Sequence, residues 1–173
     1  MKIVLVAAAT LLALVGLGLE YAVATGLSAR EAPGSAEILA VRAIRRLAIP
    51  RGMRTRTNPI APGPQSVAAG LKIFAAYCAS CHANDGSGQI GLGQALFPRS
   101  PDMRQRATQD MTDGELFYTV EYGVRFTGMP GWGNGTQEGE EMAWNLVHFI
   151  RHLPALTPAE AEQMEALNPK RLQ

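Results

Sequence analysis

The only two cysteines of this 173-residue chain are Cys78 and Cys81, and His82 follows directly. A C-x-x-C-H run is the pattern of covalent haem attachment. Each thiol adds across a haem vinyl group and becomes a thioether, and the histidine then lies beneath the iron and supplies one axial nitrogen. With two residues between them, both sulfurs can be presented by a single helical turn. A structural zinc site needs two further ligands, and the remaining histidines, His148 and His152, come without a second cysteine pair. A thioredoxin-type motif belongs at a strand-to-helix turn in a βαβ pattern. Here the motif follows a helical stretch, Val67 to Tyr77, and strand-like alternation is absent.

An electron-carrying iron needs a sixth ligand. The segment Thr127-Gly128-Met129-Pro130-Gly131-Trp132 offers a thioether sulfur, a soft ligand that favours reduced iron and raises the potential. Gly128 and Gly131 permit a close backbone approach, and Pro130 fixes the chain just after the methionine. The other six methionines, Met1, Met53, Met103, Met111, Met142 and Met164, read as core or surface residues.

These features together resemble a class I, single-haem cytochrome c of the membrane-anchored bacterial type. The resemblance rests on Gly70-x-x-x-Phe74-x-x-x-Cys78-x-x-Cys81-His82, then Thr127-Gly128-Met129-Pro130, then an amphipathic helix bearing Trp144, Leu146, Val147, Phe149 and Ile150. It covers residues 65–153, about half the chain. It implies an all-α fold wrapped around one covalent haem c, held by Cys78 and Cys81 with His82 and Met129 as axial ligands. It also implies that Gly70 and Phe74 meet Leu146 and Phe149. In that family a proline carbonyl accepts a hydrogen bond from the other nitrogen of the axial histidine, which fixes the ring and tunes the ligand. Pro101 is the candidate here, with Pro98 as the alternative. Trp132 is expected to pack at the haem.

The surrounding helices can be placed without the resemblance. Thr112-Asp-Gly-Glu115 forms a capping box ahead of Leu116, Phe117 and Val120, with Gly123 suited to the residue after that helix. A helix from about Gln137 to Leu153 opens on glutamates and closes on Arg151 and His152, complementing its dipole, and Pro154 stops it. Thr157-Pro158-Ala-Glu160 is a second capping box, opening a short tail helix that ends near Asn168-Pro169. The glycine-rich stretch Gly86-x-Gly88-x-x-Gly91-x-Gly93 lacks the preceding strand that phosphate binding requires, and reads as a loop around the haem edge. His148 and His152 share a helical face but are too few for a metal site on their own.

An unbroken apolar run, Ile3 to Leu19, follows Met1-Lys2. It exceeds the usual core of about 7–15 residues in a cleaved signal and suits a retained transmembrane helix, although Ala22-Val23-Ala24 also fits a cleavage site. Positive-inside counting gives no orientation, because Lys2 precedes the run and Arg30 and further arginines follow it. The resemblance supplies one: a single-pass protein of the bacterial inner membrane with its haem domain on the periplasmic side. The expected organisation is an anchor at 1–26, an Arg/Pro-rich linker at 27–64, a cytochrome domain at 65–156 and a tail helix at 157–173. Within the linker, Ile38, Leu39, Ile44 and Leu47 interleave with Arg42, Arg45 and Arg46 as in an amphipathic helix. That helix is expected to rest on headgroups, on a partner or on its own domain. Asn58-Pro59 through Pro64 reads as a stiff spacer.

The net charge of +1 conceals a split. Residues 27–63 hold seven arginines and two glutamates, whereas residues 64–173 hold eight basic and twelve acidic side chains. An acidic folded domain argues against nucleic-acid binding. The expected function is single-electron transfer between redox protein partners at a membrane, with no catalytic residues and no small-molecule substrate. The alternatives are a fixed haem subunit of a larger respiratory, photosynthetic or dehydrogenase complex, and a haem enzyme or gas sensor with an open iron position, which Met129 opposes.

Overall fold

The computed structural model describes residues 2–26, 28, 31 and 33–168, with only the backbone described at 42 and 46. Met1, Leu27, Ala29, Arg30, Ala32 and residues 169–173, the end of the expected tail segment, lie outside the described residues. The described chain is all-helical and falls into two compact units, residues 1–31 and 32–173.

The first unit is one helix, α1 (Lys2–Thr25), apolar along its length and with no buried residue. Its 24 residues rise about 36 Å, more than the hydrocarbon thickness of about 30 Å. It is a candidate membrane span by length and composition.

The second unit opens with α2 (Ser35–Ala48) and the single turn α3 (Arg51–Arg54). It continues through α4 (Pro64–Tyr77), α5 (Ala79–His82), α6 (Gly91–Ala95), α7 (Arg106–Gln109), α8 (Asp113–Tyr122) and α9 (Gln137–His152). A 3-10 turn over Leu153–Ala155 leads into α10 (Pro158–Leu167). The glycine-rich stretch is therefore not loop throughout, since its second half forms α6.

Local chemistry sets the helix ends. Thr112 Oγ1 accepts from Glu115 N at 3.2 Å while the Glu115 carboxylate accepts from Thr112 N at 2.8 Å, closing the capping box of α8. Gly123, at φ 69°, ends that helix in a conformation that a side chain disfavours. Thr136 caps α9 by accepting from Gly139 N, and Thr157 caps α10 by accepting from Glu160 N. The dipole of α9 is flanked as expected by Glu138 and Glu140 at its start and Arg151 and His152 at its end.

α4 crosses α9 at the centre of the core. Phe74 and Phe149 are fully buried with ring centroids 5.2 Å apart. Phe117 of α8 stacks on Trp144 of α9 at 4.2 Å. Each buried phenylalanine contributes about 2–3 kcal/mol of hydrophobic stabilisation. Met164 of α10 is fully buried in the same core, so the tail helix is part of the fold.

The chain before α4 is fastened to this core. The Arg56 guanidinium lies 4.5 Å from the Phe117 ring centre and pairs with Glu140 at 2.6 Å. Asn58 Nδ2 donates to the Trp144 carbonyl at 3.0 Å. His148 Nε2 bonds the Ile60 carbonyl at 2.9 Å, and His152 Nε2 meets Glu160 Oε2 at 2.9 Å, so each histidine has a structural partner. Among the described residues no three His, Cys, Asp or Glu side chains gather as a metal-holding group.

Gly70 sits where α4 and α9 touch. A Cβ there would strike the Asn145 carbonyl and lie 2.7 Å from Phe149 Cβ, so the glycine meets Asn145 and Phe149. Helix propensity alone favours Gly70→Ala by about 1 kcal/mol. Forced separation of two packed helices costs about 1–3 kcal/mol and strikes rigid backbone here. Urea unfolding should therefore show a net loss of stability for Gly70→Ala. A gain would mean the crossing has slack.

Candidate functional site

Cys78 closes α4, and the chain turns directly into α5, which carries Cys81 and His82. His82 N donates to the Cys78 carbonyl at 2.9 Å and Cys81 N to the same oxygen at 3.1 Å, so one turn holds both thiols and the imidazole. Both cysteines are half-buried and free. Burial, aided by the nearby Cys81, pushes the Cys78 thiol up to about 12, so it stays protonated at neutral pH.

His82 is buried, with its ring 6.4 Å from that of Phe74. Burial pulls it down to about 4, and the Pro101 carbonyl beside the ring opposes that shift in part. The imidazole is therefore neutral at pH 7, the form that ligates a metal. Nδ1 is buried and falls short of full hydrogen-bond geometry with any protein acceptor. The Pro101 carbonyl lies on the side of the ring where that bond was expected.

An ionic clamp positions Pro101. Arg104 donates to Asp102 Oδ1 at 2.8 Å and Oδ2 at 2.9 Å, and reaches Asp85 Oδ2 at 2.8 Å. The Arg104 hydrogen bond holds the Asp102 carboxyl at about 2. Because Asp85 lies three residues past His82, the clamp ties the Pro101 loop to the motif. Two backbone bonds reinforce it, Gly88 N to the His82 carbonyl at 2.8 Å and Met103 N to the Gly86 carbonyl at 2.8 Å. Gly86 and Gly88 adopt φ of 73° and 70°, which explains glycine at both positions. The Asn84 and Asn168 side chains pair at 3.0 Å, joining the end of α10 to the same loop.

Met129 lies on the loop between α8 and α9. Val124 N donates to the Met129 carbonyl at 3.0 Å, and Met129 N donates to Thr127 Oγ1 at 3.1 Å. The far side of the loop binds the last turn of α8: Trp132 N donates to the Val120 carbonyl at 3.0 Å and Gly133 N to the Glu121 carbonyl at 2.9 Å. These bonds satisfy carbonyls that a helix end leaves open. The Glu121 carboxyl lies under Gly133 and is raised above the usual carboxylate range, first by burial and then by Glu140.

α6 links the motif to the methionine loop. Gly93 packs so tightly on the Cys81 carbonyl that a Cβ would overlap it. Past the end of α6, the Leu96 side chain lies against Gly128, where a Cβ would come within 2.6 Å of it. The Trp132 ring lies 5.4 Å from that of Tyr77. Together with Cys78 and Met142 it lines an open cleft of about 220 Å³. Phe126, on the methionine loop, is 94% exposed.

The donor set is two adjacent thiols, a neutral imidazole backed by a carbonyl, and a thioether on a loop whose hydrogen bonds do not involve its side chain. That set fits a haem iron and its two attachment points. The Arg104 clamp and the Leu96–Gly128 contact carry no motif of their own in the sequence. The positive-φ glycines at 86 and 88 were the one readable sign that this loop folds tightly. Residues 65–150 match the family described as cytochrome c oxidase, cbb3-type, subunit III.

Proposed function

We propose that this chain, a c-type cytochrome by its residues 65–150, is a membrane-anchored carrier of single electrons built on one covalent haem. The observation that carries the proposal is the single turn bearing Cys78, Cys81 and a His82 ring held neutral by burial. The haem, when bound, supplies reversible one-electron chemistry at its iron. The chain's residues supply the rest. Cys78 and Cys81 hold the group by thioethers. The Pro101 carbonyl beside the ring would orient His82 so that one imidazole nitrogen can meet the iron. Met129 would hold the iron by its thioether sulfur and so keep it closed to substrates. Trp132 and Tyr77 wall the cleft beside Cys78, and Phe126 offers a partner an apolar contact next to the ligand loop.

α1 is read as a retained anchor that places the haem domain on the periplasmic face. The matched family's description, an oxidase subunit, favours a second reading in which the same domain is a fixed subunit of a larger redox complex.

Two measurements on native membranes test this. Intact mass of the haem protein should include α1, and the protein should resist alkaline and high-salt washing, because a spanning helix inserts far more firmly than surface charge binds. A soluble haem protein beginning near Thr25 would overturn the anchor. After mild detergent extraction, a free carrier migrates alone. Stoichiometric co-migration with other redox subunits would establish the second reading instead.

A further inference from the structure

Helix α2 turns its apolar side outward. It meets the domain through a narrow strip: Ile38 is half-buried, Arg45 reaches Met111 Sδ at 3.7 Å, and Ile49, just past the helix end, is buried. The opposite side carries Leu39, Ile44 and Leu47, which are 67%, 65% and 80% exposed. Ala36, Ala40 and Ala43 are exposed between them, completing a stripe at helical spacing. A helix that packs only on its own domain turns such a stripe inward. At 100° per residue, position 46, arginine in the sequence, borders the stripe on one side and Glu37 on the other, and position 42, also arginine, lies one step further round beyond position 46.

We propose that α2 is an interfacial helix whose Leu39–Ile44–Leu47 stripe sinks into the surface of a membrane rich in anionic lipid, a second attachment beside α1. The proposal rests on the reading of α1 as a retained anchor. Two observations favour lipid over protein. From Thr25 to Ser35 the chain extends at most about 35 Å, so the headgroups beside a membrane-spanning α1 lie within reach of the start of α2. Charge is sorted in the required sense: residues 27–63 hold seven arginines against two glutamates, while residues 64–173 hold eight basic against twelve acidic groups. Anionic headgroups attract the first segment and repel the second. Leucine and isoleucine flanked by arginine suit a helix lying in the headgroup plane. Attachment at both ends of the connection would hold the haem domain at a fixed height, as transfer to a membrane partner requires.

The test uses full-length, haem-loaded protein in nanodiscs. Polarity-sensitive labels are placed singly on Leu39→Cys, Ile44→Cys and Leu47→Cys, with Arg106→Cys, an exposed position on α7, as control. In phosphatidylglycerol-containing discs the three stripe labels should shift to the blue and lose most of their quenching by acrylamide, and the control should do neither. Phosphatidylcholine discs, or Arg42→Gln combined with Arg46→Gln, should return the stripe labels towards the control. Stripe labels as quenchable as the control in anionic discs would overturn the proposal. So would equal protection in both lipids, which in detergent as well would point to a protein partner or a second copy. Incorporation into the discs reports on α1 separately, so loss of the anchor is distinguishable from failure of α2 to bind.

Discussion

Cys78→Ala combined with Cys81→Ala should yield a protein from which acidified acetone removes every haem, whereas the native protein should keep its haem on the chain. Thioether formation joins each sulfur to a vinyl carbon and moves the thiol hydrogen to the neighbouring carbon, so no oxidant is needed. The double variant has no sulfur left for this, because the chain has no third cysteine. Cys81→Ala alone should allow at most one thioether and sharply reduce the yield of haem protein. His82→Ala leaves both thiols in place, so it should retain covalent haem but lose the low-spin spectrum. The pair of variants separates attachment from ligation. Clean extraction of haem from the native protein would sink the motif reading. Retention of covalent haem by the double variant would mean that another side chain holds it.

What was legible in the sequence was local. Thr112 and Glu115 are three residues apart and need no other part of the chain to form their capping box, and the same holds for Thr157 and Glu160. Gly123 is readable because a positive φ singles out glycine. Cys78, Cys81 and His82 share a turn because their spacing leaves little choice. What was not legible depends on contacts between distant segments. Arg104 carries no hint that it will bridge Asp102 to Asp85, nineteen residues away. Leu96 meets Gly128 only once α6 has settled on Cys81, and the glycines of α6 argue against a helix that close packing nevertheless selects. Gly70 and Phe74 were expected to meet Leu146 and Phe149; Phe74 does pack on Phe149, but that Gly70 also presses on the Asn145 backbone is a close approach no pattern of residue types reports. The amphipathic period of α2 was plain, but the direction in which its apolar side faces is a tertiary fact.

Met129→Ala should convert a low-spin haem protein into one that binds carbon monoxide when reduced. The near-infrared sulfur-to-iron band of the oxidised form should vanish. The potential should fall by on the order of 0.1 V, since axial ligands set haem potentials across a range of about 0.8 V. The substitution is informative because the loop does not depend on the side chain it removes. Val124 N still finds the carbonyl of residue 129, and the amide of residue 129 still finds Thr127 Oγ1. Trp132 and Gly133 remain bonded to the end of α8. Loss of the band would therefore report loss of the ligand and not collapse of the loop. Two other methionines serve as controls for opposite reasons. Met103 is buried in the core, and Met142 lines the cleft that also contains Cys78, beside an attachment point. Met103→Ala and Met142→Ala should both stay low-spin, although the first should lower stability by about 2–5 kcal/mol as a core truncation. A native protein that is already high-spin, or a Met129→Ala variant that keeps its sulfur band, would remove Met129 from the iron. An open or differently ligated haem would then put enzymatic or gas-binding chemistry ahead of electron transfer.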